Sequence, residues 1–199
     1  MHWGKDTADA TPLTEEQRNG LRLSWITTRA ELDDAETDNI LAGTQKWRQH
    51  RRRLSLQNLL DDKSVRDLHR DMFGDVWAWA GKYRTEDPNI GVEPWNVAVK
   101  VRDLGQDAAY WFATGSTISI DTAATKFHHR MVQIHPFANG NGRHARELTD
   151  LILLTMGAAQ FTWGSNNLGP VSGTRLTYVR ALQAADDGDF AELLSFVRS

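Results

Sequence analysis

The chain has 199 residues, 40% hydrophobic and 25% charged, with a formal net charge of −3 and no cysteine. This is ordinary globular composition, long enough for one core-bearing domain, and it excludes a disulfide framework, thiol catalysis and cysteine-ligated zinc. It gives no general attraction to nucleic acid or an anionic membrane, no apolar run spans a bilayer, and Met1-His2-Trp3-Gly4-Lys5-Asp6 is no signal peptide, which together fit a cytoplasmic protein.

Residues 1–13 are polar and carry Thr11-Pro12, which predicts a loose tail. Thr14-Glu15-Glu16-Gln17 is a capping pattern that opens a helix to about residue 23. A second helical stretch covers about 27–52. It ends in a basic run of Lys46, Arg48, His50, Arg51, Arg52 and Arg53, read as a solvated helix end where cations suit the dipole; a docking patch is the alternative. Residues 64–80 read as a third helix, with Val65, Leu68, Met72, Phe73 and Val76 on one side and Gly81 as its stop. Pro88, Gly91 and Pro94, with Ile90 and Val92 alternating, predict a short hairpin over 84–94. Helices follow over about 95–113 and, capped by Asp121, over 122–134 with Ala124, Phe127, Met131 and Ile134 as the apolar stripe. A helix over about 142–156 stops at Gly157, a Gly/Ser/Asn-rich loop fills 163–173, and two helices, about 173–186 and 188–198, close the chain. The class is all-α, a helical bundle with one small β-hairpin.

The most informative stretch is His135-Pro136-Phe137-Ala138-Asn139-Gly140-Asn141-Gly142-Arg143-His144-Ala145-Arg146. It reads as a loop feeding a helix N-terminus, where free amides and the helix dipole favour an anion. Glycine lets the backbone approach that anion closely. Arg143 and Arg146 stand one helical turn apart, so both guanidinium groups can point the same way and take up a polyphosphate. A neutral His135 can accept a proton near neutral pH. Phe137, an aromatic between polar neighbours, is expected to bury and pin the loop. His128, His129 and His144 match no common zinc spacing with His135, and His128 and His129 read as packed or solvated helix residues.

This stretch resembles the signature loop of the Fic (Fic/Doc) family, H-P-F-x-D/E-G-N-G-R-x-x-R, at eleven of twelve positions. The misfit is Asn139, where the family has Asp or Glu. Met72 to Arg84 is similar to the helix end before the Fic flap, and residues 60–199 resemble a Fic core preceded by a 1–59 tail and helical extension. The branch resembled is that called mobile mystery protein B, usually encoded beside a small helix-turn-helix partner.

The resemblance implies a protein adenylyltransferase, moving AMP from ATP to a Ser, Thr or Tyr hydroxyl of a target protein. His135 would be the base. Gly140, Asn141, Gly142, Arg143 and Arg146 would bind the phosphates, with the Asn141 side chain as one more donor. Position 139 would ligate Mg²⁺ or Mn²⁺, for which a neutral Asn139 is a weak ligand. Asn89, Ile90, Gly91 and Val92 would form the flap that docks the target by strand addition. Thr27 and Glu31 have the spacing of the family's inhibitory motif, with Leu32 in place of Gly or Asn, and Glu31 would then pair with Arg146. A toxin–antitoxin-like small partner is the expected regulator; membrane and nucleic acid are not expected partners. The alternatives are a Fic-fold nucleotide- or partner-binding module that transfers little, and transfer of another phosphate-linked group.

Overall fold

A computed structural model describes residues 20–86, 91–165 and 171–199, and the amphipathic stretches there form eight α-helices and two 3₁₀ turns. Helix α1 (Arg29–Gln49) starts at Thr28, whose hydroxyl accepts the Glu31 N–H while the Glu31 carboxylate accepts the Thr28 N–H, a capping box. A 3₁₀ turn (Arg51–Arg53) leads to α2 (Leu56–Leu59) and α3 (Asp62–Phe73). A second turn, Pro94–Asn96, runs into α4 (Val97–Trp111), followed by α5 (Ile120–Ile134), α6 (Asn141–Thr155), α7 (Val171–Asp186) and α8 (Ala191–Val197).

Helix α6 sits at the centre. Its Leu148, Leu151, Ile152 and Leu153 are fully buried, and α5, α3 and α2 pack around it. Truncating any one of these leucines to alanine removes roughly 2–5 kcal/mol. Helix α1 lies along α3, and its Arg48 grips Glu147 of α6 through Nε (2.7 Å) and Nη2 (2.5 Å). Lys46 pairs with Asp71 at 3.0 Å. Two cations of the basic run thus fasten α1 to the body, while Arg51, Arg52 and Arg53 are exposed. No helix among the described residues is long and apolar enough to cross a membrane.

Three expectations change. The helix expected over 64–80 stops at Phe73, and residues 74–80 turn. Backbone pairing to residues 20–22 competes with the helix there. Arg22 N–H donates to the Val76 carbonyl and Ala78 N–H to the Gly20 carbonyl, each at 2.8 Å, and Leu21 and Trp77 form an antiparallel bridge. Of the helix expected to residue 23, residues 14–19 lie outside the described residues, and 20–23 are not helical. At α5 the cap is Ser119, whose hydroxyl accepts the Thr122 N–H at 3.1 Å; Asp121 instead pairs with Arg198. The expected hairpin tip, 87–90, lies outside the described residues. Its flanks bond to the chain before the loop: Arg84 N–H to the Pro136 carbonyl (3.0 Å) and Val92 N–H to the Ile134 carbonyl (3.3 Å).

Candidate active site

The loop between α5 and α6 is fixed from beneath. Phe137 is fully buried, stacks on His69 with ring centroids 3.7 Å apart and meets the His144 ring edge-on. Asn141 is buried too. Its Oδ1 accepts the Phe137 N–H (2.9 Å) and its Nδ2 donates to the Phe137 carbonyl (2.8 Å). That side chain was expected to donate to phosphate; it is consumed holding the loop closed. His69 Nδ1 accepts the Gly81 N–H at 3.0 Å, so Nε2 carries the proton and donates to the Asn139 carbonyl at 3.0 Å. Burial holds His69 neutral, pushed down to about 3.

Gly140, the residue before α6, has φ +78°, and a Cβ there would lie 2.5 Å from the Phe73 ring. Only glycine fits both constraints. No side chain caps α6, and open space lies over Gly142. The first-turn amides and the positive end of the dipole are therefore available to an anion. They border a cleft of about 1990 Å³ that runs from Glu36 of α1, past the loop, to Tyr178 and Leu182 of α7.

The two arginines of the loop-helix segment face different ends of this cleft rather than one shared partner. Arg143 Nη1 donates to Glu36 Oε2 at 2.8 Å, and its guanidinium covers the Phe73 ring at 5.0 Å. Glu36 is only 7% exposed, and its Oε1 accepts the Trp77 indole N–H at 2.7 Å. Arg146 lies over the Tyr178 ring at 4.7 Å and the Trp163 ring at 5.9 Å. Among the described residues no carboxylate reaches it within ion-pair distance. Both rings are held in place. Tyr178 Oη is 2.8 Å from His128 Nε2, and Trp163 Nε1 donates to Asp150 Oδ2 at 3.0 Å. Trp163 keeps a left-handed backbone, φ +54°, beside Phe161, whose N–H also bonds Asp150.

His135 closes α5 in the left-handed region, φ 53°, half-buried against the cleft. Burial, then the nearby Arg84 guanidinium, pushes its imidazole below the ordinary histidine range, and a hydrogen bond to the Val132 carbonyl partly opposes them. The ring is neutral at pH 7, as a base must be.

Asn139 is exposed, and its Oδ1 accepts the Gly140 N–H at 2.7 Å. That bond also occupies the Gly140 amide, which was expected to face phosphate. Among the described residues no group of three or more histidines and carboxylates is placed to hold a metal. With position 139 neutral and turned onto its own backbone, the donor set does not fit Mg²⁺ or Mn²⁺, which want anionic oxygen. His129 pairs with Asp186 at 2.9 Å and His128 packs beneath Tyr178, so neither is part of a metal cluster.

Glu31 does not reach Arg146. Its Oε2 accepts the Thr27 N–H (2.7 Å), the Thr27 hydroxyl (3.1 Å) and the Thr28 N–H (3.0 Å). The carboxylate on a loop-helix arginine comes five residues later, from Glu36, and it takes Arg143. Of the expected flap residues, Asn89 and Ile90 lie outside the described residues; Gly91 and Val92 lie beside His135 and Ile134. Sequence reasoning missed Glu36, Arg84, Asp150, Trp163 and Tyr178. Glu36 had one signal: with Leu32, Asn39 and Gly43 it repeats at helical spacing, and all four are buried.

Residues 59–153 match the model of the Fic/DOC family. The chain is 31% identical over 145 residues to protein adenylyltransferase fic-1 of Caenorhabditis elegans, a match covering 69% of this chain and 26% of that protein. It is 26% identical over 142 residues to protein adenylyltransferase Fic of Drosophila virilis, covering 68% and 27%. The chain thus spans about a quarter of the length of these curated relatives. Among solved structures it superposes on Fic-1 (aa134–508) of C. elegans with a TM-score of 0.61 at 27% identity, covering 90% of this chain and 55% of that one. The N-terminal Fic domain of a cell filamentation protein from Bartonella quintana, with bound ADP, gives a TM-score of 0.66 at 15% identity over 88% and 86%, a likeness of fold. A helical core built around one buried loop-to-helix segment, with these matches in sequence and fold, identifies residues 59–153 as a Fic/DOC family domain.

Proposed function

We propose that this chain transfers AMP from ATP to a hydroxyl of a target protein. One observation carries the reading: a neutral His135 shares a cleft with an uncapped helix N-terminus and two arginines. The relatives' description as protein adenylyltransferases supports it. The target hydroxyl of a Ser, Thr or Tyr attacks the α-phosphorus, its proton passes to the free ring nitrogen of His135, and pyrophosphate leaves. Amides of Asn141, Gly142 and Arg143 receive the charge that grows on the phosphoryl oxygens, and Arg143 and Arg146 hold the leaving phosphates. Trp163 and Tyr178 fix the Arg146 guanidinium plane before the nucleotide arrives. No step is assigned to a metal bound by the protein.

The same reading divides the chain into a 1–59 extension and a 60–199 core, supported by the start of the family match at residue 59. It keeps a cytoplasmic setting and a small antitoxin-like helix-turn-helix partner, on the strength of the sequence resemblance. Co-purification with a neighbouring-gene product tests the partner. ATP labelled at the α-phosphate, incubated with the protein, divalent cation and a lysate, tests the activity. Protein-bound label is expected from α-labelled and not from γ-labelled ATP. No label from either overturns the reading.

A second reading is favoured by two contacts. Glu36 occupies Arg143, and Asn139 occupies the Gly140 amide. A module that binds nucleotide or a partner and transfers little would look like this. Tight ATP binding without label transfer would select it.

A further inference from the structure

We propose that Arg84 is a positioning residue that holds His135 together with Glu86 and Val92 in one frame. The inference rests on the proposed role of His135 as base. Arg84 is 6% exposed, and each face of its guanidinium fork is used. Nε donates to the His135 carbonyl at 2.6 Å, Nη1 to the Glu86 carbonyl at 3.0 Å, and Nη2 to the Val92 carbonyl. Its own N–H donates to the Pro136 carbonyl at 3.0 Å. Three carbonyls from three places in the chain are thus set by one planar group, and lysine cannot reproduce that geometry.

The fit is close. Gly91 has φ +98°, and a Cβ on it would lie 2.7 Å from His135 Cβ and 2.8 Å from Arg84 Nη2. His135 itself holds a left-handed backbone, which a non-glycine residue keeps only when its surroundings enforce it. The carbonyl bond from Arg84 is one such constraint, and the Val92–Ile134 bond is another. The residue that would take the proton and the carbonyls of Glu86 and Val92 are therefore held by the same guanidinium.

The charge of Arg84 has a second effect. Beside the His129 ring of α5, the charged groups Arg29, Asp33 and Glu36 on α1, Lys82 and Glu86 on the same segment, Arg143 and Arg146 on α6, and Arg175 and Asp186 on α7 also line the cleft. Of these charges, that of Arg84 is the one that disfavours the His135 imidazolium. Arg84 thereby helps keep the base unprotonated.

The experiment compares Arg84→Gln and Arg84→Lys in the full chain, each checked for fold by circular dichroism. The readouts are an NMR titration of the His135 imidazole, ATP affinity, and self-labelling from α-labelled ATP. Arg84→Gln should raise the His135 pKa, slow self-labelling by about tenfold or more, and leave ATP affinity within about twofold. Arg84→Lys, which keeps the charge and loses the fork, should leave the titration near wild type and still slow labelling. Should Arg84→Gln not fold, Gly91→Ala inserts a methyl between the same two groups and should slow labelling alike. An unchanged His135 titration and unchanged labelling in a folded variant overturn the proposal. Absence of labelling in the wild type would count against the transferase reading alone, since the titration still decides whether Arg84 acts on His135.

Discussion

Glu36 on α1 holds Arg143 at the start of α6, with Oε2 2.8 Å from Nη1 and Oε1 2.7 Å from the Trp77 indole nitrogen. A carboxylate on those guanidinium protons excludes a phosphate oxygen from them. Glu36→Ala should therefore tighten ATP binding by about tenfold, ~1.4 kcal/mol. It should also lower stability by about 1–3 kcal/mol, because the Trp77 N–H is left buried without an acceptor. Calorimetric titration beside a thermal melt checks both. Unchanged ATP affinity would mean that Arg143 does not hold the phosphates.

Glu31→Ala should leave ATP binding untouched. Its carboxylate serves the α1 capping box and touches neither arginine. ATP affinity and self-labelling should stay at wild-type values while the melting temperature falls. A gain of labelling would show that α1 shifts and brings Glu31 to the loop.

His135→Ala should slow transfer by about 10²–10⁴-fold with ATP binding retained. The pKa of His135 is lowered, so its basic form persists to a lower pH than for free histidine. The acid limb of the wild-type rate profile should consequently lie below pH 6.5. A limb at or above that value would assign the proton to another group.

What could be read from the sequence was whatever is local. Helices α4 to α8 came from apolar spacing and their stops, and the loop from its prolines, glycines and arginines. Long-range pairing was not legible. Trp77 looked like the next turn of α3, because only its bridge to Leu21 takes it out of the helix. Glu36 and Asn39 drew no reading, because a polar stripe on α1 carries no signal until Arg143, Trp77 and Asp75 are placed opposite it. Asn141 was misread for a related reason. An amide in a loop is donor and acceptor to anything near, and only the fold shows that Phe137 takes both.

Asn139→Asp should introduce metal-dependent ATP binding. The wild-type Oδ1 is neutral and accepts the Gly140 N–H. A carboxylate has a second, anionic oxygen free for Mg²⁺ while keeping that bond. Titrating Mg²⁺ into wild type and variant with ATP present should show at least about tenfold stronger metal dependence in the variant. Equal dependence would place the side chain away from the phosphates.

Stability should rise steeply with pH between about 4 and 6.5, and Asp150 should be what blunts the rise. His69, His128 and His144 are buried and pushed down to about 3, 3 and 4 from 6.5, chiefly by desolvation. As pH falls below 6.5 the unfolded chain binds their protons and the folded chain does not. Their contribution is complete above 6.5 and is lost progressively towards pH 3–4. His135, also lowered, adds in the same direction. Asp150 is the opposite case. Burial raises its carboxyl from 3.8 to about 6, so its contribution is complete below 3.8 and is lost as pH rises through 6. Each group that titrates in one state only contributes about 1.4 kcal/mol per pH unit. Three histidines against one aspartate leave a net slope of about 3 kcal/mol per pH unit near pH 5. Urea unfolding at pH 4.5 to 6.5 measures it. In Asp150→Asn the opposing proton is gone, and the amide oxygen can still accept from Trp163 or Phe161, so the slope should steepen by about one proton. An unchanged slope would mean that Asp150 ionises alike in the folded and unfolded chain, and that the Trp163 ring beside Arg146 is not held by a carboxylate poised near pH 6.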